Sequence, residues 1–241
     1  MSDTPLERIL HAQGFGTRRD CRRLVRRGAV EVSGQRIKDP QAKFPAEGLE
    51  LRVDDMPWTC RARVVLALHK GPDYECSRTP THHRSVLELL PLPYRTRGVQ
   101  PIGRLDQDTT GLLLLTDDGP FNHAISSPKR HVPKTYQVET EHPVDDALVE
   151  ALLAGVLLKG EESPTRALAG RVTGDRSLEL QIGEGRYHQV KRMMAAAGNR
   201  CAGLHRSAIG GLQLDTLSLD LNAWCVLSEA QIAAVREAAP Q

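Results

Sequence analysis

The strongest constraint on the fold is a buried-strand pattern that directly follows a polar loop. Four leucines, Leu112 to Leu115, stand after a loop that reads Gly103-Arg104-Leu105-Asp106-Gln107-Asp108-Thr109-Thr110-Gly111. Their apolar side chains predict a strand over 112–116, and the Thr-Thr-Gly turn sets where it begins. A carboxylate fixed beside a rigid strand can act as a nucleophile. Asp106 is therefore a candidate catalytic residue, against the alternative that it only caps a turn.

Residues 1–58 have the pattern of a small separate domain. Apolar residues at helical spacing predict a first helix, and Thr17 with Asp20 forms a capping box for a second. Alternating valines after the second helix predict a short hairpin. The acidic, proline-containing stretch 53–63 is typical of a linker. We therefore expect a helix–helix–hairpin domain with its linker over 1–58 and a second domain over 59–241.

The second helix is strongly basic. The net charge of the chain is only +2, so bulk charge does not indicate a nucleic-acid partner, whereas this local cluster of arginines does. The arginines repeat every four residues and cover the surface that the apolar residues leave open. The alternative is an ordinary solvated helix, although such helices usually mix acids with their bases. The candidate phosphate-binding residues are Arg18, Arg19, Arg22, Arg23, Arg26 and Arg27.

Residues 59–241 predict an α+β domain with a mainly antiparallel, mixed sheet. Strand patterns alternate with helical patterns along this part of the chain. The Asp117-Asp118-Gly119 segment suggests a hairpin turn. Gly- and Pro-rich pieces at 69–83 and 91–103 read as loops around the Asp106 segment. The strands are expected at 64–68, 112–116, 135–140 and 178–182, and the helices at 144–154, 187–197 and 228–239.

Composition excludes several classes of protein. No run of about 18 apolar residues exists, which argues against a membrane span. The amino terminus lacks a signal-peptide pattern, so we expect a cytoplasmic protein. The five cysteines are scattered, which favours reduced thiols over disulfides or a zinc site. We expect neither a metal ion nor a cofactor.

Three motifs of the second domain resemble those of pseudouridine synthases. The Asp106 segment is similar to the family signature Gly-Arg-Leu-Asp followed by Thr-x-Gly-Leu. A second family motif, Gly-Arg-x-His-Gln-Val-Lys/Arg-Arg, is matched by Gly185-Arg186-Tyr187-His188-Gln189-Val190-Lys191-Arg192. The third, a Lys-x-Tyr-x-Val strand, is matched by Lys134-Thr135-Tyr136-Gln137-Val138.

The resemblance implies a role for each matched residue. Asp106 would be the nucleophile, Lys191 would pair with it, and Tyr136 would pack against the target base. A base flipped out of its stack needs such a flat surface, and a phenol can also assist proton removal. The alternatives are a solvated basic helix start for Lys191 and a plain core position for Tyr136. Residues expected to contact RNA in this domain are Arg104, Arg186, His188 and Arg192.

Residues 5–52 resemble an S4 RNA-binding domain. Together with the three motifs, this makes the chain similar to the ribosomal small-subunit pseudouridine synthase A family, to which segments 106–111, 125–131 and 204–211 also point. The resemblance implies an enzyme without a cofactor that isomerises one uridine in small-subunit (16S) rRNA, within an assembly intermediate. We expect a monomer, which is the default for an enzyme that docks on a ribosomal particle. Two alternatives stay open: a large-subunit (23S) rRNA synthase and a non-catalytic RNA-binding assembly factor.

One loop departs from the family pattern. Members enter the catalytic domain with Leu-Asn-Lys-Pro-x-Gly-Tyr, whereas this chain has Leu68-His69-Lys70-Gly71-Pro72-Asp73-Tyr74. Glycine is the default residue where φ is positive, so replacing it by Asp73 is expected to affect the loop backbone and the choice of target.

Overall fold

The computed structural model describes residues 3–127 and 132–237. Residues 128–131, which belong to the family-like segment 125–131, and residues 238–239 of the expected last helix lie outside the described parts. The chain forms two compact units. The first comprises Met1–Val64 with Leu90–Gln100, and the second comprises Val65–Leu89 with Pro101–Gln241.

The first unit combines three helices with a small antiparallel sheet. The capping box predicted for the second helix is confirmed, because Thr17 and Asp20 satisfy each other's backbone N–H groups. The helices are α1 (Leu6–Ala12), α2 (Arg18–Arg26) and α3 (Leu92–Thr96). The strands are β1 (Thr4–Pro5), β2 (Val30–Val32), β3 (Gln35–Ile37), β4 (Lys43–Phe44), β5 (Glu50–Val53) and β6 (Met56–Thr59). β1 pairs with β4, and the others form a sheet in the order β3-β2-β5-β6.

The stretch expected to be a linker is instead the end of this sheet. Asp54 and Asp55 have φ values of 46° and 64°, which is the backbone of a two-residue type I′ turn. The turn brings β6 back along β5 with Val53 opposite Met56. Pro57 is tolerated because β6 is an edge strand and needs no second ladder. Aspartates at such a turn are less common than Asn-Gly, so the sequence pattern did not reveal it.

The second unit contains one large mixed sheet in the order β13-β14-β12-β15-β11-β7-β17, with β16 beside β15. Only the β11–β15 pair is parallel among the described strands of this order. The strands are β7 (Val65–Lys70), β8 (Tyr74–Glu75), β9 (Arg84–Ser85), β10 (Gln100–Pro101), β11 (Thr110–Thr116), β12 (Lys134–Thr140), β13 (Ala169–Gly174), β14 (Ser177–Ile182), β15 (Cys201–Ile209), β16 (Leu212–Gln213) and β17 (Trp224–Val226). The helices are α4 (Gly119–Ser126), α5 (Asp146–Ala154), α6 (Gln189–Ala196) and α7 (Glu229–Arg236), with short 3-10 helices at Val86–Leu89 and Leu214–Leu217.

The core of this unit lies on β11. All four leucines of the strand are fully buried, and Leu112 and Leu114 pack in one cluster with Phe121 of α4 and Val235 of α7. The expected hairpin turn at residues 117–119 is wrong. The side chain of Asp118 accepts a hydrogen bond from the backbone N–H of Phe121 and thereby begins α4.

The predicted α+β class, with a small helix–helix–hairpin domain before a mixed, mainly antiparallel sheet, is confirmed. Within the described residues, no helix has the length and apolar character needed to cross a bilayer.

Candidate active site

The loop that carries Asp106 is held from beneath by a buried lysine. Lys70 ends β7 opposite Gly111 and is completely buried. Its ammonium group lies 2.9 to 3.1 Å from four backbone carbonyl oxygens. Three N–H bonds therefore serve four acceptors, so at least one of them is shared. Burial lowers the pKa of Lys70 below its usual range. The carbonyls belong to Gly71, Asp106, Gln107 and Thr109.

Asp73, the departure from the family loop, adopts the conformation that favours glycine. Its φ is 64°, and its backbone N–H donates to the carbonyl of Gln107 at 2.9 Å. Aspartate enters the left-handed region more readily than most residues because its short side chain hydrogen-bonds locally. Position 73 therefore has a positive φ although it is not glycine. The hydrogen bond from Asp73 to Gln107 joins this loop to the loop that carries Asp106.

The close approach of β11 and β15 requires glycine at position 111. A Cβ atom there would lie 2.3 Å from the carbonyl oxygen of Arg206, and φ is 110°. The Asp106 loop therefore enters the sheet at a point where only glycine fits.

Asp106 lies between two basic side chains contributed by α6 and its start. Its Oδ2 atom is 3.2 Å from Nζ of Lys191, and its Oδ1 atom is 3.3 Å from Nε2 of His188. His188 precedes α6 in a left-handed conformation, with φ 47° and ψ 38°. The Asp106 side chain is 28% exposed, so it is screened on most sides yet open to a ligand.

Lys191 is shared by a second carboxylate. Its Nζ atom lies 2.6 and 2.8 Å from the two carboxylate oxygens of Asp108, closer than to Asp106. Burial alone would lower the pKa of Lys191, but the hydrogen bond to Asp108 and the charge of Asp106 outweigh it and raise that pKa. In Asp108, burial opposes ionisation and the bond to Lys191 outweighs it, so its pKa is lowered. Sequence reasoning did not select Asp108. The only signal was a second acid two residues after the first.

Tyr136 is placed on the same row of the sheet as the Asp106 loop. Tyr136 of β12 is opposite Arg206 of β15, which is opposite Gly111 of β11. Strand neighbours are separated by about 4.8 Å, so two strand spacings relate Tyr136 to the end of the loop. Arg206, which sequence reasoning did not assign, is 4% exposed. Its Nη1 lies 3.4 Å from the Tyr136 hydroxyl, and its Nε donates to the carbonyl of Leu112 at 2.8 Å.

The basic residues predicted to contact RNA differ in how far they are already paired. Arg104 is exposed. Arg186 and Arg192 both form ion pairs with Glu161, and Arg186 also pairs with Glu184. Much of their charge is therefore balanced within the protein.

All six arginines of the basic helix region are exposed. Arg22, Arg23 and Arg27 form ion pairs with Glu7, Asp20 and Asp54. Arg18, Arg19 and Arg26 form no ion pair with any residue that the structure describes.

Over residues 3–127 and 132–237, no group of His, Cys, Asp and Glu is placed to hold a metal ion.

Comparison with known proteins identifies the family. The RNA pseudouridylate synthase family matches residues 64–196, and the S4 domain matches residues 4–47. A ribosomal small subunit pseudouridine synthase A from Pasteurella multocida is 38% identical over 211 residues, covering 87% of this chain and 90% of its own. The protein of that name from Escherichia coli K12 is 37% identical and covers 95% and 99%. The chain belongs to the small-subunit pseudouridine synthase A family.

A solved structure agrees with this assignment. The crystal structure of a pseudouridylate synthase is 35% identical, with a TM-score of 0.68 and coverage of 96% of this chain and 99% of that one. The chain is therefore a pseudouridine synthase, an isomerase that acts on RNA. Its S4 RNA-binding domain precedes its catalytic domain in the sequence. These parts of the prediction are confirmed.

Proposed function

We propose that this synthase isomerises one uridine of small-subunit (16S) rRNA with Asp106 as nucleophile. The observation that carries the proposal is the placement of Asp106 between Lys191 and His188 on a loop that Lys70 holds rigidly. The small-subunit target rests on the names of the relatives in Pasteurella multocida and Escherichia coli.

Asp106 must be ionised to attack. The ammonium group of Lys191 lies 3.2 Å from an oxygen of Asp106, and the two hydrogen bonds of Lys191 to Asp108 keep that cation in place. An oxygen of Asp106 would bond either to C1′ of the ribose or to C6 of the uracil. The N1–C1′ bond breaks, the base rotates, and C5 bonds to C1′ while the bond to Asp106 is released. The C5 proton leaves to solvent, and N1 takes up a proton from solvent. The product has the composition of the substrate and no electrons are gained or lost, so the reaction needs no cofactor.

Tyr136 would support the flipped base. Tyr136 is 8% exposed and its hydroxyl accepts a hydrogen bond from Nη1 of Arg206, so the ring would form a rigid wall against which uracil can stack. Its hydroxyl can relay the C5 proton to water, giving up its own proton as it takes the one from C5.

The S4 domain would hold the RNA mainly through phosphates. Arg18, Arg19 and Arg26 are the arginines of the basic helix region that form no ion pair with an acid of the described residues, so they are free to pair with phosphates. Arg104, Arg186, His188 and Arg192 remain predicted contacts of the catalytic domain. We propose a monomer that acts in the cytoplasm on a partly assembled small-subunit particle, where the target uridine is still accessible.

The test is pseudouridine mapping by carbodiimide labelling and primer extension. Unmodified small-subunit rRNA, free and partly assembled, is incubated with the wild type or with Asp106→Asn, which keeps the shape of the side chain and removes its charge. We expect one new stop with the wild type and none with the variant. If the wild type gives a primer-extension stop only on large-subunit rRNA, that rRNA is the target and the small-subunit assignment is wrong. RNA binding without a stop on any rRNA would favour an assembly factor.

A further inference from the structure

We propose that Tyr187 is a stacking platform for the nucleobase next to the target uridine. This inference rests on the proposed function, because it assigns a second base-binding position to the same site.

Tyr187 is unusual among the aromatic residues of this chain. The sequence has nine Phe, Trp and Tyr residues, and all of them lie in the described ranges. Eight are buried or partly buried, whereas the side chain of Tyr187 is 76% exposed. Aromatic side chains are few in this protein, and Tyr187 is one that lies in solvent and does not contribute to a core.

The ring of Tyr187 is held in position rather than left loose. It stacks on the ring of His188 with a centroid distance of 3.8 Å and an interplanar angle of 18°. His188 adopts a left-handed backbone, which is uncommon for a residue other than glycine and is found where surrounding structure requires it. One face of the Tyr187 ring is covered by His188, and the exposure of the residue leaves the other face open.

The stacked rings of His188 and Tyr187 lie beside the candidate nucleophile, Asp106. The Nε2 atom of His188 lies 3.3 Å from Asp106, so the order outward is carboxylate, imidazole and phenol. A uridine that reaches Asp106 has left its stack, and its neighbour in the RNA has lost a stacking partner on one side. An open aromatic face beside Asp106 can replace that partner.

The surroundings favour a base over a phosphate at this position. Arg186 directly precedes Tyr187, and Arg192 donates to the carbonyl of Tyr187 at 3.3 Å. Both arginines are paired with Glu161, and Arg186 is also paired with Glu184. The surface around Tyr187 therefore offers a flat ring rather than an unbalanced positive charge. Stacking on an aromatic ring accepts any base and adds affinity without sequence readout.

The experiment combines protein variants with an altered RNA. Steady-state rates are measured on the substrate that mapping shows to be modified, either an rRNA fragment with the target uridine or a particle assembled on that rRNA. The same substrate is also made with an abasic nucleotide on the 5′ or 3′ side of the uridine. The proteins are the wild type, Tyr187→Ala and Tyr187→Phe. Leu168→Ala serves as a control, because Leu168 is an apolar residue that is 54% exposed and directly precedes the edge strand β13.

We expect Tyr187→Ala to raise KM about tenfold, the factor that corresponds to ~1.4 kcal/mol, with kcat changed less than twofold. Tyr187→Phe keeps the ring and should keep KM within about twofold, as a stacking role requires. One abasic position should raise the wild-type KM by the same factor as Tyr187→Ala and should have no further effect in that variant. Leu168→Ala should behave as the wild type.

Three results would overturn the inference. Tyr187→Ala could show wild-type kinetics, its effect could multiply with that of both abasic positions, or kcat could fall while KM stays constant. The last two would mean that Tyr187 acts only by supporting His188. A wild type that is inactive on every rRNA would instead refute the proposed function, so the two failures are distinguishable.

Discussion

Replacing Lys70 by methionine should loosen the Asp106 loop while leaving the volume of the core nearly unchanged. The substitution removes the donor for four backbone carbonyls, of which those of Gly71 and Thr109 accept buried hydrogen bonds. Two of these retain another partner, because the carbonyl of Asp106 also accepts from the N–H of Thr109 and that of Gln107 accepts from Asp73. The other two, on Gly71 and Thr109, lose the lysine bond that satisfies them.

The magnitude follows from those two carbonyls. A buried polar group left without a partner costs about 1–3 kcal/mol, so two cost about 2–6 kcal/mol. Removing the ammonium also removes its own cost of burial, which offsets part of this loss. We therefore expect the free energy of unfolding to fall by about 3 kcal/mol, within the range for the loss of a buried charged partner. Arginine should not restore stability, since its planar donors cannot converge on four carbonyls.

Chemical denaturation followed by circular dichroism measures the free energy of unfolding, and the single-turnover rate of pseudouridine formation measures the activity of the site. Activity at a temperature where the Lys70→Met variant is folded should fall by about 100-fold, because a displacement of about 1 Å at a reacting group has that effect. Wild-type stability together with wild-type turnover in Lys70→Met would refute the assigned role of Lys70.

Two further predictions concern charge. Asp108→Asn should lower the single-turnover rate while RNA binding persists, because Lys191 loses its closer carboxylate; unchanged rates would contradict this. The pKa of Asp108 is lowered from 3.8, so its contribution to stability is present above that pH and is lost as pH falls through the lower, folded-state value. The stability difference between wild type and variant, from denaturation at several pH values, should therefore vanish in acid. Replacing Arg18, Arg19 and Arg26 together by glutamine should weaken RNA binding and reduce the slope of log K against log salt by about 2–3, roughly 0.7–0.9 for each phosphate contact; a wild-type slope would show that other residues make these contacts.

Local patterns predicted much of the fold. Four consecutive leucines identified β11, and the Thr17–Asp20 spacing identified the start of α2, because each signal lies within a few residues of the element that it specifies. The turn at Asp54-Asp55 and the cap at Asp118 escaped prediction. In both cases an aspartate takes a backbone or capping role that depends on which strand or helix follows.

The candidate site was predictable only where a motif carried the information. Asp106 and Lys191 were selected from their motifs, and the structure brings their side chains to 3.2 Å. Arg206 and Lys70 act through contacts with residues far along the chain, such as Tyr136 and Thr109. Those contacts arise from the parallel pairing of β11 with β15 and the antiparallel pairing of β11 with β7, and no local pattern encodes such pairing.

The central claim is that Asp106 is the nucleophile, and release of the C5 hydrogen tests it most directly. Small-subunit rRNA labelled with tritium at C5 of its uridines, free and partly assembled, is incubated with excess wild type or Asp106→Asn, after filter binding has shown that both hold the RNA. The wild type should release the tritium of one uridine per rRNA, whereas Asp106→Asn should release none above the rate without enzyme. Release by Asp106→Asn at the wild-type rate would contradict the claim.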